Sequence, residues 1–449
     1  MRHFLYALSA LSLLAVGAAH ADEPAQGETS LSPETPEILS LRDQAEIHDR
    51  WLAERLDTVV PALMREHKID MWVIIAREYM EDPVLSTMLN STSMRARRRT
   101  VLVFSDPGNG EPVERLTVSR YGMGDFFKAA WNPEGGDDQW ARLAEVIAER
   151  NPEKIAVNVS SASAFADGLT SSQYTDFYAA LDPEYQKRIV SGFELATGWL
   201  ETRIPGEMEY YPEIVRTAHS IIGEAFSSRV ITPGETTADD VVWWTRQKIS
   251  DLGLSPWFHT SVSVFREGEP EELAGDTVIE KGDLLWIDFG IVYLGLNTDT
   301  QHMAYVLKDG ETDAPEGLKA GLRASNDVQD ALISSFETGL SGNEILARAR
   351  QKAIAAGLEP TIYSHPIGYH GHGAGSAIGF WDNQAPSDKG TYRLRPNTAW
   401  SIELAAKKAV PEWGGQEIPF RTEDDAFFDG KTVRFIDGRQ TRLHLIGEE

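Results

Sequence analysis

Two carboxylates, Asp288 and Asp299, stand eleven residues apart in the stretch 284–307, LLWIDFGIVYLGLNTDTQHMAYVL. The two ends of that stretch are apolar and rich in strand formers, and Gly290, Gly295 and Asn297 supply turn chemistry between them. The pattern predicts a β-hairpin. Folded about Tyr293-Leu294, it sets Asp288 roughly opposite Asp299, on one face, with Cβ atoms about 5 Å apart. Like charges held that close repel and are poorly solvated, and a bound cation between them removes the conflict. The pair is equally open to a plainer reading, as turn aspartates that share a loop.

Three more stretches set acids or imidazoles beside bulky apolar residues. They are 364–373 (SHPIGYHGHG), 400–404 (WSIEL) and 420–425 (FRTEDD). Taken singly, a histidine in such a place is more often a satisfied structural one, and a lone glutamate more often faces solvent. Trp257, Trp381 and Trp400 are assigned to core packing, with a pocket wall as the alternative.

The elements that must position these groups follow from periodicity. Residues 43–67 carry Ile47, Trp51, Leu52, Leu56, Val59, Val60 and Leu63 on one helical stripe. Short apolar β-rich runs at 71–75, 100–104 and 154–159 alternate with helix-like stretches such as 139–149, which predicts an α/β domain over residues 41–200. A second organisation, residues 201–449, opens with an amphipathic helix over 207–227. Thr237 with Asp240, and Ser341 with Glu344, read as capping boxes, and Gly357 as a helix-ending glycine. Helices are expected over 317–337 and 343–356, and strands return over 398–446.

Taken together, the order Asp, Asp, His, Glu, Glu resembles the metal-dependent aminopeptidases and dipeptidases of the pita-bread fold, in the Xaa-Pro aminopeptidase, prolidase and creatinase superfamily. The likeness covers about 205–446. It rests on Lys281-Gly282-Asp283 leading to Asp288, on Asp299 eleven residues further on, on His365-x-x-Gly368-x-x-x-His372, on Glu403, and on Arg421-x-Glu423. The implied architecture is α+β: a C-terminal pita-bread domain preceded by a smaller α/β creatinase-type domain. The implied metal ligands are Asp288, Asp299, His365, Glu403 and Glu423, with Asp299 and Glu423 bridging two divalent ions. Four carboxylates and one imidazole are a hard donor set, so Mn²⁺ comes first, with Co²⁺, Fe²⁺ and Zn²⁺ also compatible. The resemblance implies hydrolysis of N-terminal peptide bonds, Xaa-Pro among them, by a hydroxide shared between the metals. Glu403 is then the proton shuttle, His372 the group that meets the substrate carbonyl, and Arg421 the group that orients Glu423.

The chain also departs from the pattern. Leu404-Ala405 stand where the family has Pro-Gly, so the local turn must differ. No histidine lies between Arg266 and Glu280, where most members carry one, and His302 stands where the family often has an arginine. His370 is a ligand only if the alignment at His365 shifts. A creatinase-like C–N hydrolase and a non-catalytic pita-bread peptide-binding protein are the competing readings.

Bulk composition sets the remaining bounds. The 449 residues allow two or three full-sized cores. A formal net charge of −27 argues against nucleic acid as a partner and leaves carboxylates to spare for cations. The opening MRHFLYALSALSLLAVGAAHA has an arginine, an apolar run and a small-x-small end, which predicts a signal peptide over 1–21 and a mature start at Asp22. Residues 22–40, rich in Pro, Glu, Ser and Thr, read as a disordered leader. Periplasmic or secreted localisation follows, with a peptide substrate, no stable membrane insertion and a homodimer. There is no cysteine, so no disulfide supports the fold. The basic cluster 95–99 reads as a solvated face or an inter-subunit contact.

Overall fold

The computed structural model describes residues 34–447; the expected signal peptide and most of the leader lie outside the described residues. The described end of that leader is docked. Ile38 and Leu39 pack on the core, and the Leu39 N–H donates to the Tyr293 hydroxyl at 2.9 Å.

Helix α1 (Leu41–His67) starts where the Ser40 hydroxyl accepts the Asp43 N–H and ends at left-handed Lys68. Its predicted apolar stripe is its buried face. The next sheet has six strands. Its centre is β1 (Met71–Arg77), antiparallel to β2 (Arg99–Ser105) and parallel to β3 (Ile155–Val157). Side chains alternate faces along a strand. Trp72 and Ile74 therefore join the core beneath α1, while Met71, Val73 and Ile75 pack on the opposite side with Leu143, Val146 and Phe177. Burial on both faces is why these strands read as continuous apolar runs.

Helix α2 (Pro205–Ala225) and helix α3 (Ala238–Asp251) open the second half, and Thr237 and Asp240 form the expected reciprocal cap. The strands that follow are β4 (Ser261–Phe265), β5 (Leu284–Phe289) and β6 (Thr300–Val306), in one sheet with the C-terminal strand His444–Ile446. Helices α4 (Glu316–Ile333) and α5 (Gly342–Ala355) come next, and Ser341 with Glu344 caps α5.

The hairpin is real, but its register differs from the expected one. The turn is at Leu294-Gly295, both at positive φ (53° and 79°), and Tyr293 faces Leu296. Two consecutive left-handed residues are what a tight hairpin turn requires. That moves the fold by one residue, so Asp288 lies opposite Gln301, not Asp299. Asp299 is then diagonal to Asp288. Residues two apart share a face, so the two carboxylates still converge.

Four more strands complete the site: β7 (His365–Ile367), β8 (Thr398–Ser401), β9 (Leu404–Val410) and β10 (Gln416–Thr422), followed by β11 (Asp425–Phe428). β8 pairs with β7 and β11 in one sheet, whereas β9 pairs with β10 in another. The chain thus leaves one sheet for the other twice, at Ile402-Glu403 and at Glu423-Asp424. The Ile402 N–H bonds the Asp424 carbonyl at 3.1 Å across this corner. Leu404 opens β9 at once, so no turn follows Glu403 where the family's Pro-Gly would make one. Gln301 and Glu423 exchange both backbone hydrogen bonds (3.0 and 3.1 Å) and tie β6 to the corner. Among the described residues no helix is long and apolar enough to cross a membrane.

A Cβ on Gly290 would strike the Thr298 carbonyl and the rings of Trp257 and Phe258. Gly290→Ala is expected to cost about 1–3 kcal/mol. Because Thr298 precedes Asp299, it should also weaken metal binding, which denaturant unfolding with and without added Mn²⁺ would separate.

Candidate metal centre

Each ligand candidate sits at a strand end or at the sheet corner. Asp288 is near the end of β5, Asp299 just before β6, and His365 starts β7. Glu403 and Glu423 are at the two crossings. The His365 Nε2 lies 3.6 Å from Asp299 Oδ2, 3.6 Å from Glu403 Oε2 and 3.7 Å from Glu423 Oε1. Asp288, Asp299 and Glu423 bring one oxygen each within 4.8 Å of one another, and His365, Glu403 and Glu423 do the same with one atom each. Glu423 belongs to both groups. All five predicted residues therefore meet in one place.

No Lys or Arg among the described residues forms an ion pair with these four carboxylates. Burial, and then repulsion from Glu423, pushes Asp288, Asp299 and Glu403 well above the usual carboxylate range. Burial pushes Glu423 up to about 8. Burial lowers His365 to about 4, so its ring is neutral. Its Nδ1 donates to the Pro366 carbonyl at 3.0 Å, which leaves the Nε2 lone pair aimed at the carboxylates. Asp299 Oδ1, His365 Nε2 and Glu423 Oε2 are buried with no hydrogen-bond partner. Unpaired acceptors at the centre of buried negative charge fit a divalent cation with hard ligands.

The supporting groups are only partly those expected. Arg421 does not reach Glu423. It forms a bidentate pair with Glu272 (3.0 and 2.7 Å) and lies over the Trp286 ring. Its strand faces the outer rim there, and the acid that meets it comes from a loop 149 residues away. Glu423 is instead held by the Ser401 hydroxyl, whose cross-strand partner is Asp425, two residues on. Glu403 Oε1 accepts from Gln301 Nε2 (2.7 Å) and from Trp381 Nε1 (2.9 Å). Trp381 is thus not a core residue, whereas Trp400 is fully buried. The Asp425 carboxylate accepts the Asp299 N–H at 3.2 Å. Sequence spacing carries no signal for Gln301, Ser401 or Trp381, because each reaches its ligand across the corner.

His372 sits edge-on to His365 (4.7 Å between centroids) and against Trp257 (5.2 Å). Burial, with His365 and Lys389 nearby, lowers it to about 4. His370 turns away and stacks on Phe165 at 4.7 Å. His259 faces Arg246 and takes no part. A cavity of about 470 Å³ opens beside His365 and His372, walled by Phe165, Phe193, Phe380 and Tyr392.

Residues 213–435 match the model of metallopeptidase family M24. The chain therefore belongs to the M24 metallopeptidases, and its second half is a pita-bread domain. The X-Pro aminopeptidase from Thermotoga maritima MSB8 superposes with a TM-score of 0.60 at 18% identity, covering 86% of this chain and 99% of that one. The Xaa-Pro dipeptidase from Bacillus anthracis gives 0.58 at 19%, covering 90% and 100%. At such identities the likeness is one of fold. The uncharacterized peptidase YqhT of Bacillus subtilis (strain 168) is 28% identical over 165 residues, 36% of this chain and 41% of that protein. The match thus spans about two-fifths of that relative.

The raised carboxylates set a sign for metal-free stability. Groups raised on folding favour the native state below their unfolded pKa and lose that contribution as pH climbs to the folded value. The lowered His365 acts oppositely, but only below about 6.5. From about pH 6.5 to 8 the chelated protein should therefore lose stability, and Glu423→Gln should raise its Tm at pH 8 by a few degrees. Calorimetry of chelated protein across that range is the check.

Proposed function

We propose that this chain is an exported two-metal aminopeptidase or dipeptidase that cleaves N-terminal peptide bonds, Xaa-Pro among them. One observation carries the reading: three buried carboxylates, the partly buried Asp288 and one neutral imidazole converge with no Lys or Arg among the described residues paired to them. When bound, two divalent cations, Mn²⁺ first, supply Lewis acidity and an ionised water.

The chain's residues do the rest. Asp299 and Glu423, each near ligand atoms of both groups, would hold both ions, with Asp288 completing one site and His365 with Glu403 the other. Gln301 and Trp381 hold Glu403 Oε1, and Oε2 faces the site. Glu403 takes the proton of the attacking water and delivers it to the leaving amine. Neutral His372 donates an N–H to the scissile carbonyl oxygen as charge develops there. The aromatic walls suit a compact apolar residue such as proline. Lys389, exposed on the rim of that cavity, would meet the carboxylate of a short substrate.

Export rests on the character of residues 1–21, and N-terminal sequencing of the exported chain should begin at Asp22. A homodimer is supported by the exposed Tyr79, Met80 and Met94 beside the basic cluster, and sedimentation would show it.

Asp299→Ala and Glu423→Ala should each abolish metal retention and release of the N-terminal residue. Full activity in either refutes the reading. Lys389→Ala should raise KM roughly threefold for dipeptides and leave longer peptides unchanged.

A further inference from the structure

A second cluster lies behind the corner, on the other face of the segment that carries Glu423. Asp424 is fully buried, and no Lys or Arg among the described residues pairs with it. Its Oδ2 is fixed by the Gln440 N–H (3.3 Å) and by Gln329 (3.4 Å). Its Oδ1 faces two imidazoles: His302 Nε2 from β6 at 3.0 Å and His219 Nε2 from α2 at 3.7 Å.

The outer nitrogens of both rings are occupied. His219 Nδ1 lies 3.1 Å from Asp437 Oδ2. A carboxylate only accepts, so that nitrogen carries the proton, and in the neutral ring Nε2 is a bare lone pair. This Nε2 is buried, has no hydrogen-bond partner and points at another carboxylate oxygen. Two acceptors facing each other in a dry interior repel unless a cation lies between them. His302 Nε2, 3.0 Å from Asp424 Oδ1, donates its proton there in the metal-free chain; His302 Nδ1 is 3.2 Å from His444 Nε2, which can accept a proton from Nδ1 once a cation takes the place of the one on Nε2. An inward Nε2 whose ring is oriented through Nδ1 by a carboxylate or another acceptor is the arrangement of metal-bound histidine.

We propose that His219, His302 and Asp424 form a third cation site, separate from the peptidase centre and suited to Zn²⁺. The three ligand atoms lie within 4.8 Å of one another. Two imidazoles and one carboxylate leave a fourth tetrahedral position for water. A cavity of about 710 Å³ is lined by Gly223, Phe226 and His444, whose ring lies 5.4 Å from that of His302. The ion would join α2 and β6 to the segment just after Glu423, a structural role.

The test uses the full chain with the front site disabled by Asp299→Ala/His365→Ala, so it does not depend on peptide hydrolysis. After chelation and reloading with Zn²⁺, elemental analysis should find one zinc per chain, with Tm raised by several degrees. Adding His219→Gln or His302→Gln should remove that zinc and the shift. A folded double variant that holds no zinc overturns the proposal, as does zinc retained in both histidine variants. Should both histidine variants fail to fold, zinc absorption spectroscopy of the double variant decides. Two imidazoles with oxygen at about 2.0–2.1 Å support the site, and any other ligand set overturns it.

Discussion

Buried negative charge without a fixed counter-charge is the constraint around which this fold is arranged. The same molecule shows how it handles a carboxylate it means to neutralise by itself. Glu207 is fully buried, and burial alone would raise it. Arg203 and Arg55, at 3.4 and 3.0 Å, hold it below the usual range instead. Nothing comparable is spent on Asp288, Asp299, Glu403 and Glu423. Guanidiniums are available nearby, but Arg421 is turned outward to Glu272. A folded chain that gathers four carboxylates, three buried and one partly buried, and diverts its neighbouring cation leaves their neutralisation to something it must bind.

The double crossing between sheets is what makes such convergence possible. Within a flat strand pair, Glu403 and Glu423 would lie in line with their neighbours and share a face with few others. At the crossing the backbone of both strands turns together, tied by the Ile402–Asp424 hydrogen bond, and both acids aim into the space between the sheets. β6 reaches the same space through the Gln301–Glu423 bridge, bringing Asp299 with it. His365 arrives on β7, paired with Ser401, the residue that also holds Glu423. Ligand positions and hydrogen-bonded register are thus one arrangement.

How much of this was legible in the sequence depended on range. The helices, their caps and the hairpin follow from local pattern, and residues 43–67, Thr237–Asp240 and Ser341–Glu344 fold as read. The hairpin turn lies one residue beyond its expected place, and the register two, because Leu294, a poor left-handed residue by type, shares the turn with Gly295. The five ligand candidates were legible only as an ordered set. What stayed hidden was non-local support. By spacing Arg421 should serve Glu423, yet a loop acid, Glu272, claims it. Gln301, Ser401 and Trp381 are ordinary residues whose role exists only once the corner is built. His219 and His444, 225 positions apart, carry no joint pattern in the chain.

The segment 422–425 shows how the two buried clusters are coupled. Thr422 and Asp424 face α4 and the histidines, while Glu423 and Asp425 face the peptidase centre. Alternation along an extended chain puts consecutive acids on opposite sides. The position of Glu423 is therefore set from behind, by whatever fixes Asp424. Gln440 and Gln329 hold one oxygen of Asp424, and the two imidazoles face the other. Displacing that side chain must rotate the backbone between two sheets, and the carboxylate shared by both ligand groups would move with it.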